Sequence, residues 1–169
     1  NSNYSLPIND GNGYSYSQQI VQADEYRNEE GAAGPISQIK YKLISGANSA
    51  PSFNNWTVYL GHTTKTVFNS NLDFIPVSDL TQVFTGTVSI TQDNAWITID
   101  LPTSFNYNGT DNLVVGVLQN VTGASSPYFS SYHSTGGNQG ILAFSSSTID
   151  NNNLTTTNKY LTSEIAQIQ

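Results

Sequence analysis

The chain has 169 residues, and only 10% of them are charged, with twelve carboxylates against five basic groups for a net charge of −7. An acidic chain repels phosphate backbones, which sets nucleic acid aside as a partner, and no apolar run approaches the roughly 20 residues that span a bilayer as a helix. One domain of this length buries roughly 70% of its unfolded surface, so it needs no disulfide, and there is no Cys. Asn, Ser, Thr, Gly and Tyr take the place of the missing charges. Neutral polar surfaces of this kind suit a secreted, extracellular or cell-surface module. With no Met, no signal peptide and a C-terminus that breaks off in strand-like sequence, the reading is a single domain, residues 1–169, excised from a larger secreted protein.

In chain order, "YSYSQQIVQADEY" (14–26) alternates as a strand does, and "RNEEGAAG" (27–34) reads as a long loop. In "ISQIKYKLIS", Ile39, Tyr41 and Leu43 share one parity while Lys40 and Lys42 share the other. Such period-2 alternation means one buried face and one wet face. After a loop over 45–55, Trp56, Val58 and Leu60 line one face of the next strand, and continuation through Gly61 puts His62 on that same face. "QVFTGTVSI" groups Phe84, Val88 and Ile90; "AWITIDL" groups Ile97, Ile99 and Leu101, with Trp96, Thr98 and Asp100 opposite. Pro102 is expected to end that ladder, since it lacks a donor.

"YNGTDN" is a turn, because Asn-Gly accepts positive φ cheaply. The strand after it, "NLVVGVLQ", is apolar on both faces: Leu113, Val115 and Val117 on one, Val114 and Leu118 on the other. This marks the middle of a covered sheet. "YFSSYHS", "GILAFSS" and "KYLTSEIAQI" complete about eight or nine strands, with loops at 119–127 and 146–158. No segment has a convincing helical period, "VSDLTQVF" coming nearest. The expectation is an all-β fold, a two-sheet antiparallel β-sandwich of jelly-roll type.

Signatures of chemistry are sparse. His62, in "YLGHTTKT", lies on the core parity with no nucleophile or carboxylate indicated, so it reads as scaffold, and Lys65 as solvated. "SQIK" (37–40) matches Ser-x-x-Lys, but within a strand positions i and i+3 face opposite sides, and acyl enzymes place this motif at the start of a helix. Glu29 and Glu30 lie in a charged polar stretch with no sign of a cleft between paired carboxylates. "NDGNG" (9–13) opens like a calcium loop, yet Tyr14 stands where an EF-hand needs an oxygen ligand. Asp10, Asp24 and Glu25 remain candidates for a structural calcium of the kind sandwich loops hold, against the alternative of a solvated acidic face. No cofactor is required by any of this. Two isolated histidines without Cys do not suit zinc.

The stretches "NNWTVYLGHTTKTVF", "DLTQVFTGTVSI" and "FNYNGTDNLVVGV" resemble a module that recurs in large secreted multidomain proteins of Bacteroidota, beside glycoside hydrolases and other catalytic domains. The similarity covers roughly residues 14–145. It implies a jelly-roll sandwich similar to carbohydrate-binding modules and cleaved-adhesin domains. Its signature positions Trp56, Leu60, Gly61, Asn108, Gly109 and Leu113 read as scaffold.

Together these readings point to a non-catalytic carbohydrate-binding module of a secreted polysaccharide-degrading enzyme, not an enzyme itself, whose partners are a polysaccharide and a covalently linked catalytic domain. Tyr26, Arg27, Lys40 and Lys42 form one candidate surface, and Tyr128, Tyr132 and His133 another. Aromatic rings suit stacking on sugar faces; the basic strip suits a sulfated marine polysaccharide. The plain alternatives are an edge strand whose lysines block edge-to-edge pairing, an edge strand with surface tyrosines, and a structural spacer with no glycan affinity.

Overall fold

A computed structural model of the chain describes residues 6–9, 13–29, 33–47, 55–121 and 127–169. The chain begins with β1 (Tyr14–Val21), helix α1 (Ala23–Glu29), β2 (Gly34–Ser45), β3 (Asn55–Thr63) and β4 (Thr81–Thr87). Then follow β5 (Trp96–Tyr107), β6 (Asn112–Asn120), β7 (Tyr128–Phe129), β8 (Ser131–His133), β9 (Gly140–Ser145), β10 (Asn158–Thr162) and β11 (Glu164–Ala166). The main sheet has the order β10-β9-β1-β6-β3-β4; facing it lie a three-stranded sheet, β5-β2-β7, and a two-stranded one, β11-β8. All pairings between strands are antiparallel. The chain shuttles between the sheets, as jelly-roll windings do. Among the described residues no helix is long and apolar enough to cross a membrane.

The eleven strands among the described residues exceed the expected eight or nine because two sequence runs each split between sheets. "YFSSYHS" breaks at Ser130, whose N–H donates to Lys42 O while its own carbonyl accepts from Gln167 N–H. "KYLTSEIAQI" breaks at Ser163, whose carbonyl accepts from Ser134 N–H. Each break lets one run join two sheets.

Between the sheets, the parities read from the sequence hold: Ile39, Tyr41 and Leu43 from β2, Trp56, Val58 and Leu60 from β3, and Leu113, Val115 and Val117 from β6 all enter one core. Its centre is aromatic, with the Trp56 ring 5.9 Å from Tyr41 and 6.0 Å from Phe129. In β4 the expected Phe84 is half-buried against this core, and Val83 is buried as well. A bulge explains both, since Val58 pairs with Phe84 but Tyr59 with Gln82, leaving Val83 as the extra residue.

The main sheet is covered on its other face too. Val114 and Ile20 pack there with Phe68 and Ile75, and Tyr16 and Tyr59 with Ile149. Two adjacent glutamines fix these layers. On one face Gln18 donates from Nε2 to Ile75 O and accepts from Ile75 N–H, both at 2.8 Å. Gln19, pointing oppositely, makes the same two bonds with Ala166, at 2.9 and 3.1 Å. Each side-chain amide thus replaces a strand's backbone as partner to a covering segment. The glycine of "LGH" also belongs to this layering: a Cβ on Gly61 would stand 2.5 Å from Leu80 Cδ2.

Three expectations are corrected. The stretch after Val21 is not all strand and loop: Ala23–Glu29 is a helix, begun by the Glu25 carboxylate accepting from Gln22 N–H at 2.9 Å, one half of a capping box. Two helical turns with apolar groups only at Ala23 and Tyr26 give too little periodicity to be read. Pro102 does not end a ladder. It lies inside β5, where the register jumps from Gln38↔Asp100 to Ile36↔Phe105, so its missing donor falls in a bulge. Lys65 is not merely solvated, because its Nζ stands 2.7 Å from Asp73 Oδ1. Asp73 also accepts from Asn69 N–H, and that bond, then Lys65, hold its carboxyl below the usual aspartate range.

Candidate functional site

Helix α1 and β8 come from distant parts of the sequence, yet each sends one tyrosine to the same cavity. A space of about 300 Å³ opens between the two sheets beside the first half of β2, and Tyr26 and Tyr132 both line it. Its buried wall includes Ile39, Leu60, Leu113 and Val115; polar groups come from Glu25, Ser37, Gln38 and Gln169. Binding sites for small groups are typically concave, mostly apolar and furnished with a few polar side chains. The Tyr26 ring is fixed by Tyr107, with centroids 4.4 Å apart. Tyr132 is 41% exposed, which leaves ring surface open to a ligand.

The two surfaces expected from the sequence are therefore regrouped. Tyr26 and Tyr132 share the cavity, whereas Arg27 donates from Nη1 to Gly109 O at 3.2 Å. Gly109 lies against Ala33, seven residues before Lys40, a distance of about 20 Å along an extended strand. Arg27 does not join the lysines. Tyr128, 52% exposed, pairs with Ser45 at the other end of β2. His133 is held by Glu164, with Nε2 3.3 Å from Oε1.

Lys40 and Lys42 project from the outer face of the three-stranded sheet, opposite Thr98 and Trp96 respectively. The edge-strand reading of these lysines fails, since β2 is the central strand. Beyond β7, the chain end continues along it, Lys40 exchanging bonds with Gln169. Trp96 is 39% exposed, and Lys42 Nζ stands 5.8 Å from its ring centre. Sequence reasoning put Trp96 on the wet face yet did not nominate it, although a tryptophan opposite three buried aliphatic residues is itself the signal.

Of the calcium candidates, Glu25 Oε2 accepts from Gln22 N–H and from Gln139 Nε2, and Asp24 is exposed in the first turn of α1. Asp10 lies outside the described residues, as does Glu30 of the Glu29–Glu30 pair. Among the described residues no three His, Cys, Asp or Glu side chains gather as a metal site requires.

His62, half-buried at the end of β3, packs on Phe105 and Tyr107, with centroids 4.9 and 5.8 Å away. Its Nε2 accepts from Asn108 N–H at 3.1 Å. Asn108 in turn organises the "NGTD" turn, its Oδ1 accepting from Thr110 and Asp111 N–H while Gly109 takes φ 75°. The histidine braces the turn that carries the chain from one sheet to the other. Neither family models, nor curated proteins, nor solved structures give a match to this chain.

Proposed function

We propose that the chain is a non-catalytic carbohydrate-binding module of a secreted polysaccharide-degrading enzyme, and that the cavity between Tyr26 and Tyr132 takes part of a glycan. The observation that carries this reading is the meeting of the two tyrosines on one cavity that polar residues also line. Rings supply apolar faces for sugar C–H groups, worth on the order of 1 kcal/mol each beyond area burial. Ser37 and Gln169 supply neutral hydrogen-bonding partners for hydroxyls.

Native affinity electrophoresis against a panel of neutral and sulfated polysaccharides tests it. At least one neutral glycan should retard the chain, and Tyr132→Ala should weaken that retardation about tenfold, near 1.4 kcal/mol. A folded Tyr132→Ala protein with unchanged affinity would remove the cavity from consideration. The competing reading, a spacer with no glycan affinity, draws on the fact that Trp56, Leu60 and Leu113 are buried and Asn108 and Gly109 form a turn. Absence of retardation by every glycan would favour it.

A further inference from the structure

The geometry points to a second binding surface, on the outer face of β2 and β5, that takes a sulfated polysaccharide chain with Trp96 as its stacking platform and Lys40 and Lys42 as its sulfate contacts. This inference rests on the carbohydrate-binding reading and deepens it by naming an anionic ligand and a place separate from the cavity.

Four observations carry it. Cross-strand pairing sets Lys42 against Trp96 and Lys40 against Thr98, so an aromatic ring, two ammonium groups and a hydroxyl share one face. The two lysines are two residues apart on one strand, which spaces their side chains by about 7 Å. Lys42 is held in place, its Nζ donating to Asn94 O at 2.7 Å beside the Trp96 ring, whereas the Lys40 ammonium has no partner among the described residues. The chain's other basic side chains lie on other elements: Arg27 on α1, Lys65 just after β3 and paired with Asp73, and Lys159 on β10 of the main sheet.

Charge placement supplies the rest. On a chain of net charge −7 with only five basic side chains, two lysines side by side make a local positive patch on an open face, and the need to protect a sheet edge does not account for them because β2 is central. An ammonium beside an exposed indole is the combination that grips a sugar ring and its acidic substituent together. Asp100 bounds the surface at one end, its Oδ1 accepting from Gln38 Nε2 at 2.6 Å; it opposes an anion there.

The test uses the whole chain in affinity electrophoresis and calorimetry with a sulfated galactan and the same galactan without sulfate. The sulfated polymer should bind, and more weakly as salt rises. Trp96→Ala should weaken binding about tenfold, and Lys40→Gln or Lys42→Gln about threefold each. Lys159→Gln should leave it unchanged. Asp100→Asn should strengthen binding of the sulfated polymer alone, a gain that misfolding cannot mimic.

Equal loss in Lys159→Gln, or equal binding of duplex DNA, would reveal a general charge effect and overturn the inference. So would sulfated-galactan binding that is indifferent to Trp96 and both lysines. Binding of a neutral glycan that depends on Tyr132, with none of the sulfated polymer, would overturn this surface and leave the cavity reading intact. No binding of any glycan would end both.

Discussion

The two large sheets of this sandwich meet solvent differently. The six-stranded sheet is packed on both faces, by the inter-sheet core on one side and by the segments around Phe68–Leu80 and Ile149–Leu154 on the other. Among the described residues the three-stranded sheet is packed on one face only, and its outer face carries Lys40, Lys42, Trp96, Thr98 and Asp100 in the open or half-open. A sheet buried twice holds its register through contacts on both sides, so each side chain is fixed by packing. One with a free face needs only half its residues for stability and leaves the rest for recognition. The candidate surfaces follow this division: one lies on the free face, the other in the seam where the sheets part beside Tyr26 and Tyr132.

The sharpest way to break the comparison is at the shared core. Trp56→Ala removes the largest fully buried side chain and its contacts with Tyr41 and Phe129; urea unfolding should show a loss of about 4 kcal/mol. Next come the glutamines. Gln18→Ala strands the N–H and C=O of Ile75 in the buried outer layer, and Gln19→Ala those of Ala166. Either should lose about 3 kcal/mol in the same measurement, from the desolvation of unpaired polar groups.

Alkaline unfolding gives a smaller effect per group. Burial raises both Tyr16 and Tyr41 above the ordinary tyrosine value of 10.0. A raised folded value means that the unfolded chain ionises first. Their contribution is complete below about pH 10 and falls by about 1.4 kcal/mol per pH unit for each ring above it. Denaturant midpoints measured between neutral pH and pH 11 should trace that decline; a flat profile would mean that these rings reach water. The smallest effect belongs to the free face. Trp96→Ala should change stability by no more than about 0.5 kcal/mol, and a loss as large as that of Trp56→Ala would erase the distinction between the two sheets.

Much of this was legible in the residues because side-chain period reports burial directly. Alternation in "IKYKL" and "WITIDL" marked a half-wet sheet, and the continuous apolar run of "NLVVGV" marked a strand covered twice. Where the signal was weak, the reason is local. Helix α1 has too few apolar positions to show a 3.6-residue period, and the bulges at Val83 and opposite Pro102 shift parity without leaving a sequence mark. The buried polar run "SYSQQ" reads as ordinary strand alternation, and only the fold shows that its glutamines serve as backbone partners on opposite faces.

Composition and periodicity by themselves determined an all-β sandwich, its inward faces, and the wet parity of Lys40, Lys42 and Trp96, since these depend on neighbours along one strand. Tertiary structure decided which strand is central, that Tyr26 and Tyr132 meet while Arg27 stands apart, and that His62 braces a turn. Those facts depend on pairings between residues far apart in sequence, to which a single strand's pattern is blind.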